Sequence, residues 1–172
     1  MPNIIIAQNV YPDRASLHRV LTYVLRSEIV GGYAIDPTYA TSQMNLIKEA
    51  FHKCDGKQLY HFFISFSTAE MYRLTFDEVL DIGFRVGQLF EKYQMVYAIH
   101  TDTPHVHLHI VMNSVSFIDG YKYSGGLSCF FALKAMLQQE FPDSDVGIYR
   151  SYPQSPCNRY SHSAEDDFLR IG

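Results

Sequence analysis

At 172 residues the chain has the length of one domain with a core of its own. Hydrophobic residues make up 47% and charged residues 19%, which excludes a disordered polyelectrolyte, and no apolar run reaches the roughly 18 residues of a membrane span. The formal net charge of −4 argues against tight indiscriminate binding to nucleic acid, although it says nothing of how the charges are distributed.

Asn3–Val10 reads as a first strand and Tyr11-Pro-Asp-Arg14 as a turn. Ser16 is placed to cap a helix running to about Arg26, with Leu17, Val20, Leu21 and Val24 as its apolar stripe. Ile29–Ile35, interrupted by Gly31-Gly32, reads as a flexible connection. Asp36-Pro37 then supplies a cap and a first-turn proline for a helix carrying Ala40, Met44, Ile47, Phe51 and Cys54, ended by Asp55-Gly56. Leu59–Phe66 is β-prone. Thr75-Phe-Asp-Glu78 is a capping-box pattern opening a helix to about Lys92. Met95–His100 and His105–Phe117 read as strands joined by a turn. Asp119-Gly120 is a second turn, Tyr121–Tyr123 a short return and Leu127–Phe141 a last helix. From Pro142 the composition becomes polar, so the expected organisation is a domain over 1–141 and an extension over 142–172, docked or loose. The order β-α-α-β-α-β-β-α predicts an α+β domain, an antiparallel sheet with helices on one face and the other face open. Three separated cysteines, Cys54, Cys129 and Cys157, form no CxxC pair and suggest a reducing cytosol rather than disulfides.

Half of the chain's 8 histidines lie in the ten residues His100-Thr-Asp-Thr-Pro-His-Val-His-Leu-His109. Side chains alternate along a strand, so His105, His107, His109, Val111 and Asn113 share one face while Val106, Leu108, Ile110 and Met112 share the other. An apolar face can enter a core while a row of imidazoles faces outward. His107 and His109, with His100 from the adjacent strand end, could converge on one divalent cation and leave positions open, the catalytic rather than the structural form. Imidazole donors suit several ions, so the residues alone leave the metal's identity open. Asp102 is placed to orient a ligating ring or to take a proton from a nucleophile; His105 is a spare ligand or a phosphate contact.

The run His100-x-Asp102-x-x-His105-x-His107-x-His109, followed by Val111-Met-Asn113-Ser-Val115, resembles the metal motif of conjugative relaxases, the plasmid mobilisation endonucleases of the HUH superfamily. Ser16–Val24 is similar to that family's nucleophile motif, Asp55–Phe66 to its second motif and Asp119–Tyr123 to the turn after its metal strand, in the family's order over roughly residues 1–141. The resemblance implies site- and strand-specific nicking and rejoining of single-stranded DNA at a transfer origin, through a covalent 5′-phosphotyrosine. It implies Tyr23 as nucleophile, with Tyr33 and Tyr39 as competitors, and Asp102 beside it. It further implies His100, His107 and His109 as ligands of Mn²⁺ or Mg²⁺, a site that Zn²⁺ or Ni²⁺ could also occupy. His61, Ser65, His105 and Asn113 are candidates for supporting or phosphate contacts, and Arg14, Arg19 and Arg26 for DNA-backbone contacts. Accessory mobilisation proteins, a coupling protein and a bacterial cytoplasm follow from the same resemblance. A replication-initiation nickase, an inactive single-strand-binding module with the same fold and a hydrolase using activated water are the alternatives.

Overall fold

The computed structural model describes residues 1–151 and 168–171. Its centre is a seven-stranded sheet in the order β2-β4-β5-β3-β1-β6-β7. The strands are β1 (Asn3–Ile6), β2 (Val30–Tyr33), β3 (Leu59–Phe66), β4 (Met95–His100), β5 (Val106–Asn113), β6 (Gly147–Ser151) and β7 (Phe168–Ile171). All neighbours run antiparallel except β1 and β6, which are parallel. The helices are α1 (Arg14–Val24), α2 (Ala40–Ala50), α3 (Thr68–Met71), α4 (Phe76–Leu89) and α5 (Ser128–Glu140), with a 3₁₀ turn at Pro37–Tyr39 before α2. None of the described helices is long and apolar enough to cross a membrane.

The α+β class and the antiparallel sheet are as expected. One face carries Phe62, Ile64, Tyr97, Leu108, Ile110 and Met112 and is sealed by Val79, Ile82 and Val86 of α4 with Phe130, Leu133 and Leu137 of α5. The other face is not wholly open. Leu59, Val96, Ala98 and Val111 project there beside the histidines and need cover, which Leu17, Leu21 and Val24 of α1 and Met44 of α2 provide. The uncovered ground is therefore confined to the histidine end of that face.

Several local readings change. The cap of α1 is Asp13: its Oδ1 accepts from Ser16 N at 2.7 Å, and Ser16 Oγ accepts from Asp13 N at 3.3 Å. Ser16 is thus the third helical residue, the partner rather than the cap. The capping box at Thr75 and Glu78 forms as the sequence predicts. The connection through Gly31-Gly32 is an edge strand, β2, paired with β4. Its glycine has a steric cause: a Cβ on Gly31 would lie 2.2 Å from the ring of Tyr97, its cross-strand neighbour. The helix over Ala40 ends at Ala50, short of Phe51 and Cys54. The return after Gly120 is a single bridge between Lys122 and Val115.

Candidate functional site

Register places the histidines side by side. His107 pairs with Ser65 of β3 and His100 of β4, and His109 pairs with Phe63 and Ala98. All these residues project to the face that α1 only partly covers. The ring centroids of His100 and His109 are 4.6 Å apart, and those of His107 and His109 6.0 Å. Phe63 lies against both His107 and His109, at 5.2 and 5.1 Å.

Tyr23 enters from the last turn of α1. Its ring centroid is 5.2 Å from that of His100 and 5.7 Å from that of His109, the latter edge-on, and the side chain stays 42% exposed. Burial, and after it the negative charge of Asp102, raise its pKa above the ordinary 10.0, while Arg26 works in the opposite direction. Of the two competing tyrosines, Tyr33 packs on Phe84 of α4, on the opposite side of the sheet, and Tyr39 is exposed at the end of the 3₁₀ turn. Tyr23 is the one of the three that meets the imidazoles.

The ring nitrogens decide whether these side chains suit a cation. His100 Nε2 donates to the Val24 carbonyl at 2.8 Å, which fixes its tautomer and leaves Nδ1 with a lone pair. His109 Nδ1 and His61 Nε2 are 3.0 Å apart, so one donates to the other. With the proton on His109 Nδ1, His109 Nε2 keeps its lone pair. Burial, followed by the neighbouring His61 and His100, depresses the pKa of His109 to about 2; burial and His100 bring His61 to about 4. His107 is likewise lowered, by burial first and by His105 next. The rings of His61, His107 and His109 therefore favour the neutral form, the one that ligates metal. The donor chemistry fits a divalent cation, although among the described residues no three His, Cys, Asp or Glu side chains are grouped so as to hold one.

The remaining candidates divide. Ser65 sits across from His107, and His61 holds His109 by its ring nitrogen. Asp102 and His105 lie in the exposed loop before β5, so His105 is outside the strand whose face it was expected to share. Arg19 and Arg26 are exposed near Tyr23, Arg19 four residues before it on the same helical face. Asn113 and Arg14 do not join this cluster. Asn113 is fully buried and bonds Lys48, Gln94 and Met44. Arg14 pairs with Glu49 at 2.8 Å, at the other end of α1. Sequence reasoning passed over Lys48. The available signal was its position four residues after Met44, on the apolar side of α2, where a lysine is out of place.

A family model described as relaxase, MobA/VirD2-like, nuclease domain, matches residues 23–139. Over 110 residues the chain is 32% identical to "Protein rlx" of Staphylococcus aureus, covering 63% of this chain and 33% of that protein. Two further Staphylococcus aureus proteins of that name are 31% and 29% identical, each again over 63% of this chain and about a third of their own length. The chain thus spans about a third of the length of these relatives. No solved structure matches it.

Proposed function

Because the chain belongs to the MobA/VirD2-like relaxase nuclease-domain family, we propose that it nicks one strand of DNA at a transfer origin and rejoins it, with Tyr23 as the nucleophile. The observation that carries this reading is the packing of Tyr23 against His100 and His109, from a helix that is not part of the histidine strands. Tyr23 Oη bonds to phosphorus, the bond to the 3′ oxygen breaks and the 5′ phosphate stays on the enzyme. The phenol's proton leaves through Asp102 or water, and the departing oxygen is protonated to a 3′ hydroxyl. Keeping the phosphate as an ester conserves what rejoining requires, and the same steps in reverse close the strand. Asp102 is the acceptor whose charge already reaches the phenol. Arg19 and Arg26 hold the strand's phosphates beside it.

His100, His107 and His109 are the residues that would hold a divalent cation, Mn²⁺ or Mg²⁺ in function. When bound, that ion supplies positive charge to the non-bridging oxygens of the scissile phosphate. His61 serves by fixing the ring of His109, as an outer hydrogen-bond partner does for a ligand. Single-stranded DNA is the substrate, and accessory mobilisation proteins and a coupling protein are the partners this reading calls for.

The test is a denaturing gel of cognate oligonucleotide after incubation with Mn²⁺ or Mg²⁺. Wild type should give a covalent protein–DNA band. Tyr23→Phe should abolish the band while binding of the oligonucleotide, read by anisotropy, remains. Cleavage without an adduct, retained in Tyr23→Phe, would replace this reading with a hydrolase using activated water. Binding with neither adduct nor cleavage in wild type would replace it with a binding module.

A further inference from the structure

Five cations gather at the end of the sheet remote from Tyr23. Lys53 and Lys57 lie on the 51–58 loop between α2 and β3, the Lys57 ammonium turned to the ring of Tyr60, 4.1 Å from its centre. Lys122 reaches that loop from the turn after β5 and donates to the Asp55 carbonyl. Arg14, in the first turn of α1, brings its guanidinium to 3.6 Å from Cys54 Sγ. Beneath them is Lys48, 1% exposed, whose ammonium donates to two neutral acceptors, Asn113 Oδ1 at 2.7 Å and Met44 O at 3.3 Å. Three carboxylates, Asp13, Glu49 and Asp55, lie among them in the chain. This corner is therefore positive in a protein whose formal charge is −4.

Crowded like charges are unfavourable unless an anion shares the space. Lys122 and Arg14 add to burial in depressing the pKa of Lys48, which places the three charges within reach of one another. The Arg14–Glu49 pair is half-exposed on both sides, so a competing phosphate would displace it at little cost. Arg14 and Tyr23 are nine residues apart on one helix, about 13 Å along its axis at the 1.5 Å rise per residue and about half a turn apart around it, so a strand that meets both crosses over α1. One strand spans that distance with no more than about four phosphates at B-form spacing. Arg19 lies between them on the same helix.

We propose that this corner is a second backbone contact for the substrate strand, in which Arg14, Lys53 and Lys122 seat phosphates a few nucleotides from the one Tyr23 attacks. The proposal rests on the strand-nicking reading and deepens it: contacts of this kind set the register of the strand over the nucleophile without reading base sequence.

Anisotropy titrations of labelled oligo-dT against the whole chain, at stepped salt, test it. The double variant Lys53→Ser/Lys122→Ser should bind about tenfold more weakly at low salt. Its log–log salt slope should be shallower by about 1.4, two contacts at about 0.7 each for a single strand. Lys134→Ser, on α5 across the sheet, should match wild type. Circular dichroism melts check that the variants are folded. If the double variant keeps the wild-type slope while Arg19→Ser lowers it, the corner is not a contact and the strand-nicking reading stands. If wild type binds no oligo-dT at any salt, both fall together.

Discussion

Lys48 is buried with no carboxylate hydrogen-bonded to it among the described residues, and its protonation should be visible in stability. Burial, then Lys122, lowers its pKa from 10.5 to about 7 in the folded protein. Between those two values the unfolded chain holds the proton and the folded chain does not, so this group makes stability rise with pH across that window. Below about pH 7 the folded protein must bury the charged form. Lys48→Met should therefore exceed wild type most at about pH 6, by no more than about 4 kcal/mol, with the difference shrinking toward pH 10. Urea unfolding of both proteins at several pH values measures this, and a difference independent of pH would show that the ammonium is solvated. The histidines offer a second comparison. On the proposed ligand set, His107→Ala should weaken Mn²⁺ or Ni²⁺ binding by calorimetry far more than His105→Ala, because His107 lies on β5 beside His109 while His105 lies in the exposed loop. Equal losses would overturn that ligand set. The alternation of a strand was enough to put His107 and His109 on one face. The 3.0 Å contact between His61 and His109 was not legible, because it depends on the register between β3 and β5.

Among the elements, α4 and β3 were readable because local chemistry and tertiary need agree there. Thr75 and Glu78 form the box their spacing predicts, and from His61 to Phe66 the strand alternates between a partly buried and a buried face. Strand β2 was not readable, since Gly31-Gly32 ordinarily signals a break. The glycine is there for a neighbour: the Tyr97 ring lies where a Cβ on Gly31 would sit, and a Cβ on Gly83 of α4 would come within 2.5 Å of that ring from the helix side. Tyr97 is thus held between a strand and a helix that each lack a side chain at the point of contact. Gly83→Ala should cost about 1–3 kcal/mol by overpacking, despite its better helix propensity, as a lowered midpoint in thermal unfolding. A stabilised variant would mean that the ring can move aside. The cap of α1 went to Asp13 rather than Ser16 for a related reason: both residues qualify, and only the start of the helix distinguishes cap from partner.

At the scale of the molecule, the sequence indicated the α+β class and the antiparallel sheet because the strands alternate cleanly. It did not indicate that α1 and α2 would roof part of the histidine face. That follows from Leu59, Val96 and Val111, which lie on the same face as the imidazoles and were read strand by strand rather than across the sheet. The covering helix also brings Tyr23 to the histidines, a proximity that no spacing in the sequence encodes. The positive corner was hidden in the same way: its five cations come from α1, α2, the loop after α2 and the turn after β5, and only the fold adds them together. The parallel pairing of β1 with β6 has a consequence for the order of assembly. β1 precedes both of its partners in the sequence: one begins at Leu59 and the other at Gly147. β1 therefore keeps an open edge on that side until Gly147–Ser151 has been made, so that pairing forms later than the one between β1 and β3.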